Sequence, residues 1–110
     1  MPLLERVRIE VYIPDPQLSD YENLVHLLAN EFTYAFGGCS IIRGIEGNYL
    51  SIRGDRIPDR ISVVYTDAPI ALSTDFAVVA AYSRKLKEAV MEALTEEAVM
   101  ICVERVYHSV

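Results

Sequence analysis

"FGGCSIIRGIEGNYLS", Phe36 to Ser51, holds four of the chain's five glycines and the first of its two cysteines. Three readings compete for it: a reactive loop, a phosphate cradle, or the place where a helix stops and an irregular strand begins. A Walker loop ends in Gly-Lys-Ser/Thr, and a dinucleotide fingerprint opens a helix. This stretch has no such ending, and it is followed by alternating apolar residues that read as a strand. The glycines are therefore punctuation. Gly37 falls where a helix needs a left-handed residue to close its last carbonyls, and Gly38 lets the backbone reverse. Beyond them Cys39, Ile41 and Ile45 hold one phase of alternation while Leu50 and Ile52 hold the other. A one-residue β-bulge around Gly44 to Gly47 produces such a switch.

Working outward, Tyr21, Leu24, Val25, Leu28 and Phe32 recur at helical spacing before the glycines, and Ser19 with Glu22 has the form of a capping box. The spacing predicts a helix over Ser19 to Phe36. Earlier still, Val7, Ile9, Val11 and Ile13 alternate with Arg6, Arg8, Glu10 and Tyr12, the period of a strand, which "IPDPQ" ends. After the glycines, "RGDRIPD" predicts a hairpin connection into "RISVVYTD", where Ile61, Val63 and Tyr65 alternate with Ser62, Val64 and Thr66. The first set is assigned to the helix-covered side and Val64 to the outer side. Ser73 or Thr74 then caps a second helix with a stripe of Phe76, Val79, Ala80, Ser83, Leu86, Val90 and Leu94. The last strand is "AVMICVERVYH".

The order strand, helix, strand, strand, helix, strand is the split βαβ motif. Right-handed crossovers then place the strands in the order 4-1-3-2 with both helices on one face of an antiparallel sheet. The expectation is an α+β, ferredoxin-like βαββαβ sandwich, with residues 1–110 as one domain.

Composition narrows the function classes. The chain has 110 residues, about half of them apolar, and a net charge of −6. Such an acidic balance argues against phosphate-backbone binding, which rests on Lys and Arg displacing counterions. No apolar run is long enough to span a bilayer, and "MPLLERVRIE" lacks the layout of a signal peptide, so a cytoplasmic protein without nucleic-acid or membrane partners is expected. The slightly positive mean hydropathy is high for a small soluble monomer and predicts a homo-oligomer, a dimer or trimer.

Two distant cysteines and the isolated His26 and His108 have neither disulfide nor zinc-ligand spacing, so no metal and no cofactor is expected. Cys39 lies beside a helix C-terminus, whose partial negative charge opposes a thiolate, and reads as a small hydrophobe in the packing. The informative constellation is Arg8, Glu10 and Tyr12 on a strand placed centrally in the sheet, facing its open side. These are the candidate ligand-binding residues, and no catalytic set is assigned. Val64, Met100, Cys102 and Glu104 are the candidate subunit interface, because "VMICV" is apolar on both faces of an edge strand. Asp55, Arg56, Asp59 and Arg60 read as a solvated turn.

The stretch from Cys39 through Gly54 to Thr66 resembles the middle of CutA and the PII-like signalling proteins, on Cys39, Tyr49, Gly54 and Thr66. The resemblance implies a ferredoxin-like domain with an irregular second strand, a long hairpin and trimeric assembly. Tryptophan is absent, and "VERVYHSV" lacks the late histidine-proline motif of CutA, so no metal or nucleotide site carries over. Other families on this fold lack their marks: no Cys-x-x-Cys or Arg-bearing glycine loop follows the first strand, and of the RNA-stacking aromatics only Tyr65 is present.

The reading is a homo-oligomeric, regulatory-type module that binds a small ligand or a protein partner. The alternative is a small dimeric enzyme acting on an apolar substrate at the open sheet face, with Glu10 as base and Arg8 and Tyr12 orienting.

Overall fold

The computed structural model describes residues 2–14, 19–94 and 99–109. The elements run β1 (Leu3–Pro14), α1 (Ser19–Phe36), β2 (Ser40–Leu50), β3 (Arg56–Ala68), α2 (Leu72–Leu94) and β4 (Met100–Ser109). The strands form one antiparallel sheet in the order β2-β3-β1-β4, which is the expected 4-1-3-2 read from the other edge. The odd-numbered residues of β1, Val7 to Ile13, are buried in one cluster with Leu24, Val25, Leu28 and Phe32 of α1 and Val79, Leu86, Val90 and Leu94 of α2. That cluster is the core, and it places both helices on one face.

Local sequence explains the joints. Gly37 closes α1 at φ 90°, with its N–H donating to the Thr33 carbonyl. Thr66, buried under this turn, donates its Oγ1 hydrogen to the Gly38 carbonyl at 2.7 Å. The bulge is present, as a register shift between Ile42 and Ile45 with Gly44 at φ 70°. It lies slightly earlier than expected, so Ile45 pairs with Ile61 on the open side while Leu50 returns to the phase of Cys39 and Ile41. Arg43, inside the bulge, grips both carboxylate oxygens of Glu22 at 2.7 and 2.8 Å. Glu22 thus ties α1 to the bulge through a charge-assisted fork. The Ser19 side chain and the "IPDPQ" break beyond Pro14 lie outside the described residues.

Two elements differ from their sequence expectations. The hairpin turn is shorter, closed by Ser51 N–H to Asp55 carbonyl and Gly54 N–H to Ser51 carbonyl, and Arg56–Arg60 already pair with Glu46–Leu50. Among the described residues β1 accompanies β3 from Ile61 onward, so there Pro58 has one neighbouring strand, β2, and its missing donor is tolerated. The outer β2–β3 ribbon extends past the four-stranded sheet, consistent with extents of 48 × 26 × 25 Å. α2 begins at Leu72, before Ser73 and Thr74, and neither caps it. Asp75 interrupts the helical dihedrals and its carboxylate accepts the Ala71 N–H, since a carboxylate is the stronger acceptor for a helix-start donor. Phe76 and Ala80 are exposed, while Val79, Leu86, Val90 and Leu94 of the expected stripe are buried. Among the described residues no helix is long and apolar enough to cross a membrane.

Candidate functional site

Residues directly opposite each other on adjacent strands share a sheet face, so the register fixes the composition of the open side. Because Val11 pairs with Val64 and Tyr12 with Val63, β3 turns Val64 to the helices and Val63 outward. This inverts the phase read from the sequence: Val64 is fully buried in the core and leaves the candidate interface, and Tyr65 moves to the open face. The inversion has a simple origin. The helix-facing set of β3 is Ser62, Val64, Thr66 and Ala68, half polar, whereas the outward set includes Ile61, Val63 and Tyr65, so hydrophobicity alone selects the wrong side.

The open face is divided into rows across the strands. Ile42, Val63, Tyr12 and Met100 form an apolar row; Ser40, Tyr65, Glu10 and Cys102 form a mixed one; Asp67, Arg8 and Glu104 form a charged one. Arg8, Glu10 and Tyr12 therefore stand together as expected, on the central strand, with Met100, Cys102 and Glu104 beside them on the edge strand β4. Met100 is 53% exposed and Ile42 47%, while Val63 beneath them is 2% exposed.

The charged row is tightly organised. Arg8 holds Asp67 through Nε at 2.7 Å and Nη2 at 3.0 Å, and its guanidinium lies 4.6 Å from the centre of the Tyr65 ring. The same Asp67 oxygen that meets Nη2 is 2.8 Å from His108 Nε2. Asp67 titrates below the usual aspartate range, because Arg8 and then His108 hydrogen-bond its charged form against the cost of burial. Arg8 is correspondingly held charged by Asp67. Glu10 shows the opposite trend. Burial first, and the carboxyl of Glu104 second, raise its proton affinity, against smaller opposing effects of Tyr12 and Arg8. The Tyr12 hydroxyl donates to Glu10 at 3.3 Å.

His108 and Asp67 are the site residues that sequence reasoning missed. They are 41 positions apart and meet only because β3 and β4 flank β1. A polar cleft of ≈ 440 Å³ adjoins them at the end of α1, lined among others by Arg6, Gly38, Cys39 and Ser40. Cys39 and Cys102 are free and half-buried, the first just before β2 and the second on β4, at opposite sheet edges. Burial raises the Cys39 thiol, which fits a packing role. Among the described residues no group of three or more His, Cys, Asp or Glu is placed to hold a metal.

No protein-family model matches the chain, and no curated protein matches it. Solved structures do match. The divalent cation tolerance protein Cut A1 from Thermus thermophilus aligns with a TM-score of 0.54 at 16% identity, over 92% of this chain and 82% of that one. CutA1 from Oryza sativa aligns with a TM-score of 0.54 at 13% identity, over 96% and 84%. CPII from Thiomonas intermedia K12, solved bound to ADP, AMP and acetate, aligns with a TM-score of 0.51 at 10% identity, over 99% and 93%. The chain thus has a ferredoxin-like fold similar to that of CutA and PII-type proteins, the likeness its central stretch implies.

Proposed function

We propose that the protein is a homo-oligomeric binding module of the regulatory type, a single domain working in the cytoplasm as a dimer or trimer. One observation carries this reading: the open face joins an apolar row, Ile42, Val63, Tyr12 and Met100, whose ends Ile42 and Met100 are exposed, to a pre-organised charged row on the central strand. Apolar surface flanked by ordered charge is the composition of a subunit contact with a polar margin. In this reading Met100, Cys102 and Glu104 lie at the contact between copies. Arg8, Glu10 and Tyr12 hold a small ligand or a partner's polar groups where the two rows meet. The fold likeness to CPII, a protein solved with nucleotides and acetate, is compatible with a small-molecule ligand.

The enzyme reading keeps one support, the raised proton affinity of Glu10 beside the Tyr12 hydroxyl, which suits a general base acting on an apolar substrate. Native mass spectrometry of protein purified without stripping small molecules separates the readings. The module predicts two or three chains with retained ligand mass that Arg8→Gln releases. A single chain without added mass would defeat it.

A further inference from the structure

We propose that assembly through the open face is proton-linked, with Glu10 and Glu104 as a carboxyl pair that must share a proton before a second copy can cover it. This rests on the reading of the open face as a subunit contact. The geometry begins with Arg8, the cation closest to the pair in register. Its guanidinium is spent on Asp67 through two hydrogen bonds and stacked over Tyr65, while Arg6, diagonal to Glu104 on the side away from Glu10, donates to the Glu5 carbonyl; among the described residues neither Glu10 nor Glu104 forms an ion pair. Glu10 pairs with Cys102 and Arg8 with Glu104, which puts the two carboxyls diagonally on neighbouring strands of the same face. The groups facing Glu10 are Arg8 and Tyr12 on β1, Tyr65 and then Asp67 on β3, and Cys102 and Glu104 on β4; His108 is bound to Asp67 farther along. Of these Tyr12 donates a hydrogen bond to Glu10, and the helices lie on the opposite face.

The same pair borders the apolar row through Tyr12 and Met100. Covering that row removes water from Glu10, whose charged form is already disfavoured by burial and by Glu104. One carboxyl of two in contact then retains its proton, as in other like-charge pairs. The assembled form binds more protons than the separated subunits, so association strengthens as pH falls toward the glutamate range and weakens as pH rises through the raised value. For each proton taken up, the association constant changes by at most about tenfold per pH unit.

Sedimentation velocity on the full chain at about pH 5.5 and about pH 8 reads this directly. The wild type should dissociate at lower dilution at the higher pH. Glu10→Gln, and independently Glu104→Gln, should stay assembled at both, because a neutral amide replaces the proton-sharing carboxyl. A wild-type oligomer with pH-independent association would overturn the proton linkage and leave the subunit contact standing. Loss of the pH dependence in His108→Gln, with its persistence in both glutamate variants, would also overturn it. A wild type that is a single chain at both pH values would overturn the contact and the linkage together.

Discussion

Glu10 and Asp67 sit in adjacent rows of one sheet and differ in chemistry: the first binds its proton more tightly in the fold, the second less tightly. A raised carboxyl contributes stability below the ordinary glutamate range and loses it as pH rises through the folded-state value. At neutral pH the Glu10 charge is therefore carried at a cost, and Glu10→Gln should raise the melting temperature by about 1–3 °C near neutrality, a gain that fades in acid. Asp67 has the opposite sign. Its contribution is present above the ordinary aspartate range and disappears as pH falls through the lowered value. Asp67→Asn should cost about 1–2 kcal/mol at neutral pH, with the difference from wild type closing on acidification in denaturant melts. Cys39, half-buried against the core with its thiol raised, should label slowly with thiol reagents, and Cys39→Ser should cost about 1 kcal/mol. Fast stoichiometric labelling would revive a nucleophile. At this scale the sequence made Arg8, Glu10 and Tyr12 visible because β1 alternates without ambiguity. It hid Asp67 and His108, since a contact across two strand spacings leaves no local pattern.

Elements were legible where one residue type has one structural use. α1 runs between the bounds its apolar spacing predicts, and Gly37 at φ 90° is the reason it stops. A Cβ at Gly37 meets nothing within 4 Å, so the cost of substitution is conformational and not steric. Gly37→Ala should destabilise by about 1 kcal/mol, while Gly37→Asn should cost less, because asparagine tolerates the left-handed region. Equal losses in thermal melts would place the effect elsewhere. β3 was misread because Val63 and Val64 are both apolar and the helix-facing phase includes Ser62 and Thr66, the latter satisfied by the Gly38 carbonyl. That bond is tertiary, and alternation cannot anticipate it. The start of α2 was missed for a related reason. The stronger acceptor, Asp75, lies one position beyond the two hydroxyl residues expected to cap it.

For the molecule as a whole, strand order followed from element order, because right-handed crossovers leave little choice once the pattern is βαββαβ. What sequence could not give is which apolar residues remain uncovered. The register places Ile42, Val63, Tyr12 and Met100 in one row of the open face, continued by Ile45 and Ile61, and of these Ile42 and Met100 stand exposed while Val63 is buried between its neighbours. A specific contact over such a face buries about 800 Å² per subunit, enough to account for the positive mean hydropathy. Two aspartate substitutions test the face and its phase together. Met100, 53% exposed, can accept a carboxylate in a solvated monomer but not in a desolvated contact. Met100→Asp should therefore give a folded single chain by light scattering at micromolar concentration, with native circular dichroism and a lower melting temperature. Val64, fully buried between sheet and helices, offers no solvated alternative. Val64→Asp should lose the fold itself, by several kcal/mol, because the charge is stranded in the core. If Val64→Asp folded and dissociated while Met100→Asp remained assembled, β3 and β4 would have to present the opposite faces, and the open-face contact would fail with them.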